Sequence, residues 1–227
     1  MEREIEFQKS FTDCTLIYLE KNFGLRPTPD CSELDSWLKN DLSTTKFEND
    51  ELELLQALLK HNVMHWNEQE LSLHVIGPML SLARFISLDL KYNLFAERFI
   101  SATVENLAHE AILLSGKPDG ILATGYREPE SPIFALTVRF DARYKKEIDP
   151  NGQPAGQVLA AMLVAQSINQ LVEPIYGCYI IGQNWYFLTL IGKHYCISPA
   201  YSALTNEILM IFKALKALNE IVKVRVG

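Results

Sequence analysis

The chain has 227 residues, 48% of them apolar, enough for one large domain or for a core domain carrying an N-terminal helical cap. Its formal charge of −7 at neutral pH excludes a broadly basic surface. Duplex nucleic acid is held by neutralising its phosphates, so any such contact is confined to a local patch.

The four cysteines, Cys14, Cys31, Cys178 and Cys196, have no CxxC spacing and no histidine beside them, and they read as reduced thiols of a cytoplasmic protein. Residues 1–11 alternate in charge where a secretion signal needs an apolar run, so none is expected. The longest apolar runs, such as residues 175–181, fall far short of a membrane span. The sequence therefore predicts a soluble, intracellular protein with no membrane partner, and it leaves the oligomeric state open.

The first ninety residues read as helical. Phe7, Phe11, Cys14 and Tyr18 recur at helical spacing up to a stop at residues 22–24. After a loop with Pro27 and Pro29, Ser32 and Asp35 open a short helix bearing Trp37 and Leu38. Residues 49–65 carry Leu52, Leu55 and Leu59 on one stripe, with acids in the first turn where the helix dipole favours them. Asn67 and Glu70 form a capping box for the next helix, and Trp66 is placed to staple onto Leu71. That helix meets Gly77-Pro78, where a kink or restart is expected, and its periodicity runs on to Phe85.

From Glu97 the period changes to two. Residues 99–104, 111–115, 120–124 and 133–144 read as strands. A loop at Pro150-Asn151-Gly152 leads to a helix from Pro154 to about Asn169, rich in Ala, Leu, Met and Val. Two apolar strands, 175–181 and 185–191, are joined by Gly182-Gln183-Asn184, and a last helix covers about 203–222.

That order, with strand-strand-strand-helix-strand at its centre, resembles the PD-(D/E)xK (restriction-endonuclease-like) nuclease superfamily. The segments ELSLHVIGPML (70–80), GKPDGILATGYREP (116–129), PAGQVLAAMLVAQ (154–166), PIYGCYIIGQNW (174–185) and GKHYCISPAY (192–201) look like an uncharacterised bacterial branch of it. Together they cover roughly residues 66–215. The resemblance implies an α/β fold with a central mixed sheet flanked by helices over residues 67–227, and residues 1–66 as an N-terminal helical extension packed on that core.

It also implies a chemistry. Carboxylates from neighbouring strands, often joined by a helix glutamate, hold Mg²⁺ through oxygen ligands. The metal lowers the pKa of a bound water and stabilises charge on the phosphate. A lysine two residues past the second carboxylate shares its strand face, because side chains alternate. Pro118-Asp119 matches the first half of the motif, with Asp119 as the candidate metal ligand. Glu70 matches the helix glutamate and a second candidate ligand, and Gln157 matches a glutamine placed beside the cleft.

The second half departs from the pattern. Counting forward from Asp119 puts the (D/E)xK tripeptide on Val138-Arg139-Phe140; counting back from Gln157 puts it near Arg143-Tyr144-Lys145. The first lacks both charges, and the second keeps Lys145 but has arginine where a carboxylate belongs. Thr137, Arg139, Asp141 and Arg143 alternate, so they share one strand face, and a one-residue bulge would turn Asp141 and Arg143 toward Asp119 as a DxR imitation. Arginine replaces such a lysine poorly near water but clamps phosphate well.

Plainer roles stand beside these. Asp119, between Lys117-Pro118 and Gly120, also fits a turn aspartate; Glu70 is fully explained by its cap, and a pairing with His74 one turn on is a third option. Alternating charges along 139–143 also fit a solvated edge. His61 and His65 sit one turn apart, but no glutamate and no third ligand complete a zinc motif. Arg143, Lys145 and Lys146 form the one local basic cluster. Three functions follow: a silent or weak nuclease-like protein binding nucleic acid or a protein partner, an active Mg²⁺-dependent DNA endonuclease using Asp119 and Asp141, and an assembly subunit keeping only the scaffold.

Overall fold

The computed structural model describes residues 7–89, 91–139, 152–170 and 173–227. Several helices begin where a side chain closes the first turn. Thr15 accepts the amide of Tyr18 to start α1 (Leu16–Phe23), which Gly24 ends in the left-handed conformation at φ +69°. Thr45 with Glu48, and Asn67 with Glu70, form reciprocal capping boxes that open α3 (Lys46–Asn62) and α4 (Glu68–Leu71). Between α1 and α3 in chain order, α2 (Ser32–Leu38) buries Leu34, Trp37 and Leu38. At Gly77-Pro78, where the sequence predicts a kink or restart, α4 passes through a π turn (Ser72–Ile76) and a new segment, α5 (Gly77–Leu82), begins. Pro78 has no N–H to donate one turn back, and the widened turn just before it accommodates that loss.

The helical spacing of Phe7 to Tyr18 is overturned in its first half. Phe7–Ser10 is a strand, β1, pairing in parallel with β5 (Ala111–Gly116), with Phe7 opposite Ile112 and Ser10 opposite Ser115. A ladder to a strand a hundred residues away outweighs local periodicity here. Antiparallel β4 (Ile100–Glu105) completes this small sheet, in the order β1-β5-β4.

The main sheet is mixed. Its order is β2 (Arg26–Pro27), β10 (His194–Ile197), β9 (Asn184–Ile191), β8 (Ile175–Ile181), β7 (Pro132–Arg139), β6 (Gly120–Ala123) and β3 (Asn93–Ala96), with β11 (Tyr201–Ser202) also on β9. The two central strands, β7 and β8, run parallel, which requires a crossover; α6 (Gln153–Asn169) supplies it. Sequence periodicity missed β2, β3, β10 and β11, all four residues or shorter and at the sheet's margins.

Alternation sorts the side chains of this sheet into two cores. Leu122, Leu136, Val138, Cys178, Ile180 and Phe187 face α2 to α5 and the last helix, α7 (Ile208–Val226). Ile121, Ala123, Ala135, Tyr179, Leu188 and Leu190 face α1, α6 and the small sheet. Trp37 ties α2 into the first core: its indole N–H donates to the Ala214 carbonyl of α7 at 2.7 Å, and its ring meets those of Tyr176 and Phe187 edge-on. In the second core α6 is buried from Pro154 to Ala165 without interruption. A helix apolar all round is one that is covered all round, here by β7 and β8 on one side and by β4, β5 and α1 on the other. Gly156 permits the closest approach: a Cβ there would lie 2.4 Å from the Cys14 carbonyl oxygen.

The reading of all four cysteines as reduced is corrected. Cys31, just before α2, and Cys196 of β10 form a disulfide across 165 residues, while Cys14 and Cys178 are free and buried. Sequence spacing could not show this pairing, because only the parallel contact of β2 with β10 brings the two segments together. Among the described residues, no helix is long and apolar enough to cross a membrane.

Candidate functional site

Asp119 stands one residue before β6. The last β6–β7 pair at that end is Gly120 with Leu136, so one step further Asp119 lies opposite Thr137. Its carboxylate Oδ2 accepts the backbone N–H of Val138 at 2.7 Å. Burial raises the Asp119 pKa above the usual aspartate value, against the lowering effects of the Val138 N–H and the Arg139 guanidinium; Glu97 adds to the rise.

Alternation along β7 then decides which residues join it. Val138 turns to the first core, so Thr137 and Arg139 turn to the opposite face, the one covered by α6. Gln157, in the first turns of α6 and almost fully buried, receives an N–H from Arg139 Nη2 at 2.5 Å. Arg139 Nη1 lies 3.6 Å from Glu68 Oε1, a loose ion pair between half-exposed groups. Gln153 donates to the Thr12 carbonyl at 2.6 Å, fixing the start of α6 to the turn after β1. The result is a cavity of about 220 Å³ bounded by residues 10–12 and 116–119, Thr137, Arg139 and Gln157.

The candidates named from sequence thus divide. Asp119 and Gln157 come together in the cavity. Glu70 does not reach it: its carboxylate accepts the Asn67 amide at 2.7 Å, and the acid of that helix nearest the cavity is Glu68. The sequence places the tripeptide on Val138-Arg139-Phe140; along β7 it is Thr137 and Arg139 that share the face of Asp119, while Val138 turns away. Asp141, Arg143 and Lys145 lie outside the described residues. Ser10 to Thr12 were not foreseen, since that segment reaches the cavity through the β1–β5 ladder; Glu68, two residues from Glu70, carries no signal separating it from a helix-start acid.

The described residues do not make a Mg²⁺ site. A hard cation needs several oxygen ligands, and the cavity offers one carboxylate beside a guanidinium. Among the described residues, no three His, Cys, Asp or Glu side chains converge as metal ligands. What the arrangement can do is hold an anion. Arg139 presents a planar fork already oriented by Gln157, with the exposed Lys117 at the same rim.

Protein-family models give no match to this chain, and neither do the curated proteins.

Proposed function

We propose that the chain is a divergent PD-(D/E)xK nuclease-like protein whose altered site binds nucleic acid and cleaves it weakly or not at all. The observation that carries this reading is the pair on β7 facing Asp119. In this reading Thr137, opposite Asp119, takes the place of the second carboxylate and Arg139, on the same face, that of the lysine. The order of β6, β7, α6 and β8, with β7 and β8 parallel, supports the same family reading. In this proposal Arg139 clamps a phosphate, with Gln157 holding the guanidinium in place.

A second reading keeps catalysis. The alternation that sets Thr137 and Arg139 on one face continues in sequence to Asp141, a carboxylate two residues on. In that reading Asp119 and Asp141 share a metal ion.

The test is DNA binding and cleavage in Mg²⁺ or Mn²⁺, for the parent, Arg139→Ala, Asp119→Ala and Asp141→Ala. The proposal expects binding weakened by Arg139→Ala and at most trace cleavage. Robust cleavage abolished by both Asp119→Ala and Asp141→Ala overturns it in favour of the endonuclease. Absence of all binding and cleavage overturns it in favour of a scaffold subunit.

A further inference from the structure

The margin of the main sheet formed by β3 carries a feature that the cavity does not use. β3 pairs with β6 on one side, and it ends the order of the sheet on the other. Along it runs an open groove of about 620 Å³ whose lining includes Asn93, Leu94, Arg98, Tyr126, Arg127 and Glu128.

Both ends of this groove are built. At one end the Asn93 side chain donates to the Gly125 carbonyl at 3.0 Å. The Glu130 amide closes the same turn onto the Thr124 carbonyl at 2.9 Å, holding Tyr126 and Arg127 beside the start of β3. At the other end Glu97 adopts a left-handed φ of +49° and donates its amide to the Asp119 carbonyl at 3.4 Å. Arg98 is therefore the residue that follows a backbone reversal tied to Asp119. Three residue steps of β3 separate the two ends, roughly 10 Å at the strand rise.

The chemistry along this path suits a polyanion with flat bases. The chain carries a net charge of −7, yet among the described residues neither Arg98 nor Arg127 is in an ion pair. Tyr126 is 66% exposed, an aromatic ring turned largely to solvent. Arg98 at one end, and Arg127 with the exposed ring of Tyr126 at the other, supply the groups by which single strands are held: phosphates on guanidinium groups, a base on the ring. Asn93 and Glu128 add a donor and acceptors for base edges. A duplex offers no unstacked base to Tyr126.

We infer that this groove holds a short single-stranded nucleic acid, with phosphates on Arg98 and Arg127 and a base stacked on Tyr126, leading along β3 toward the Asp119–Arg139 cavity. The inference rests on the nucleic-acid reading above and adds the strandedness and path of the ligand.

Anisotropy of a labelled short oligothymidine, a duplex of equal length and a labelled acidic peptide tests it. The single strand is expected to bind best. Tyr126→Ala should weaken it roughly tenfold and Tyr126→Phe far less. Replacing Arg98 and Arg127 by alanine should flatten the slope of log affinity against log salt by about 0.7 for each phosphate set free. Single-strand binding that depends on Arg139 but ignores Arg98, Tyr126 and Arg127 overturns the groove and leaves the proposed function standing. Binding that depends on the groove but ignores Arg139 keeps the groove and removes the role given to the cavity. Preference for the duplex, or capture of the peptide by the groove residues, overturns the inference. No binding of either nucleic acid overturns both readings.

Discussion

Asp119 accepts the backbone N–H of Val138 at 2.7 Å, while the side chains on either side of Val138, those of Thr137 and Arg139, line the cavity that Asp119 shares. One carboxylate thus fixes the strand that carries its neighbours, at the cost of being partly buried.

That cost has a sign. Burial is the largest influence on Asp119 and raises its pKa, so the folded protein keeps the proton to higher pH than the unfolded chain does. The stabilising contribution is complete below the ordinary aspartate value and is lost as pH rises through the higher folded value. Asp119→Asn keeps an oxygen for the Val138 N–H without the charge. It is expected to melt above the parent at neutral pH, with the gap closing in acid. Thermal melts across that range check this, and an equal or lower melt at neutral pH contradicts it.

Building in the carboxylate and lysine that the proposed function takes to be replaced tests that reading of β7 directly. Thr137→Glu combined with Arg139→Lys places a second carboxylate opposite Asp119 and removes the guanidinium from the cavity. Calorimetry should show Mn²⁺ bound roughly tenfold tighter or better than by the parent, since affinity follows ligand charge. A folded double variant that binds no more metal than the parent shows that this face is not the site's second half.

The Cys31–Cys196 disulfide and the two buried thiols predict a labelling pattern. Burial pushes the Cys14 thiol up to about 12 and raises Cys178 as well, so neither presents a thiolate to an alkylating reagent in the folded protein. Unfolding without reductant should release two reactive thiols, and with reductant four. Cys31→Ala should cost about 2–4 kcal/mol in denaturant unfolding, and reductant should lower the parent to the variant's level. Four thiols released without reductant would falsify the bridge.

Two glycines separate packing from backbone conformation. A methyl group on Gly156 would sit 2.4 Å from the Cys14 carbonyl oxygen and 2.5 Å from the Thr15 carbonyl carbon, both backbone atoms of the α1 approach. Gly156→Ala is expected to cost about 1–3 kcal/mol or more, because α6 must back away. At Gly192 a Cβ meets nothing within 4 Å, so only its φ of +59° resists substitution, at about 1–2 kcal/mol. Denaturant unfolding of the two variants should rank Gly156→Ala as the more damaging; the reverse order would mean that α6 is looser than its burial implies.

How far the sequence carried the fold depended on the reach of each signal. Capping at Asn67 and Glu70, the stripe of Leu52, Leu55 and Leu59, and the hairpin at Gly182 are local, and each stands where its residues placed it. Phe7 to Ser10 became a strand because its partner is β5, and Cys31 met Cys196 because β2 met β10. No window of a few residues holds either fact. At the site, Asp119 and Gln157 were named from a resemblance and converge in one cavity. That Thr137 and Arg139, and not Val138, share the face of Asp119 needed the β6–β7 register, which counting along the chain does not supply.

Because α6 is covered on opposite sides by two different sheets, neither sheet can open without uncovering it. Loss of the β1–β5–β4 layer would expose one flank of a helix that has no polar side to offer water, and loss of the β7–β8 pair would expose the other. The two layers are thus bound to melt together, and Gln157 inherits its fixed position from that shared fate. The amides of α6 should be among the last to exchange with solvent, at the free energy of global unfolding.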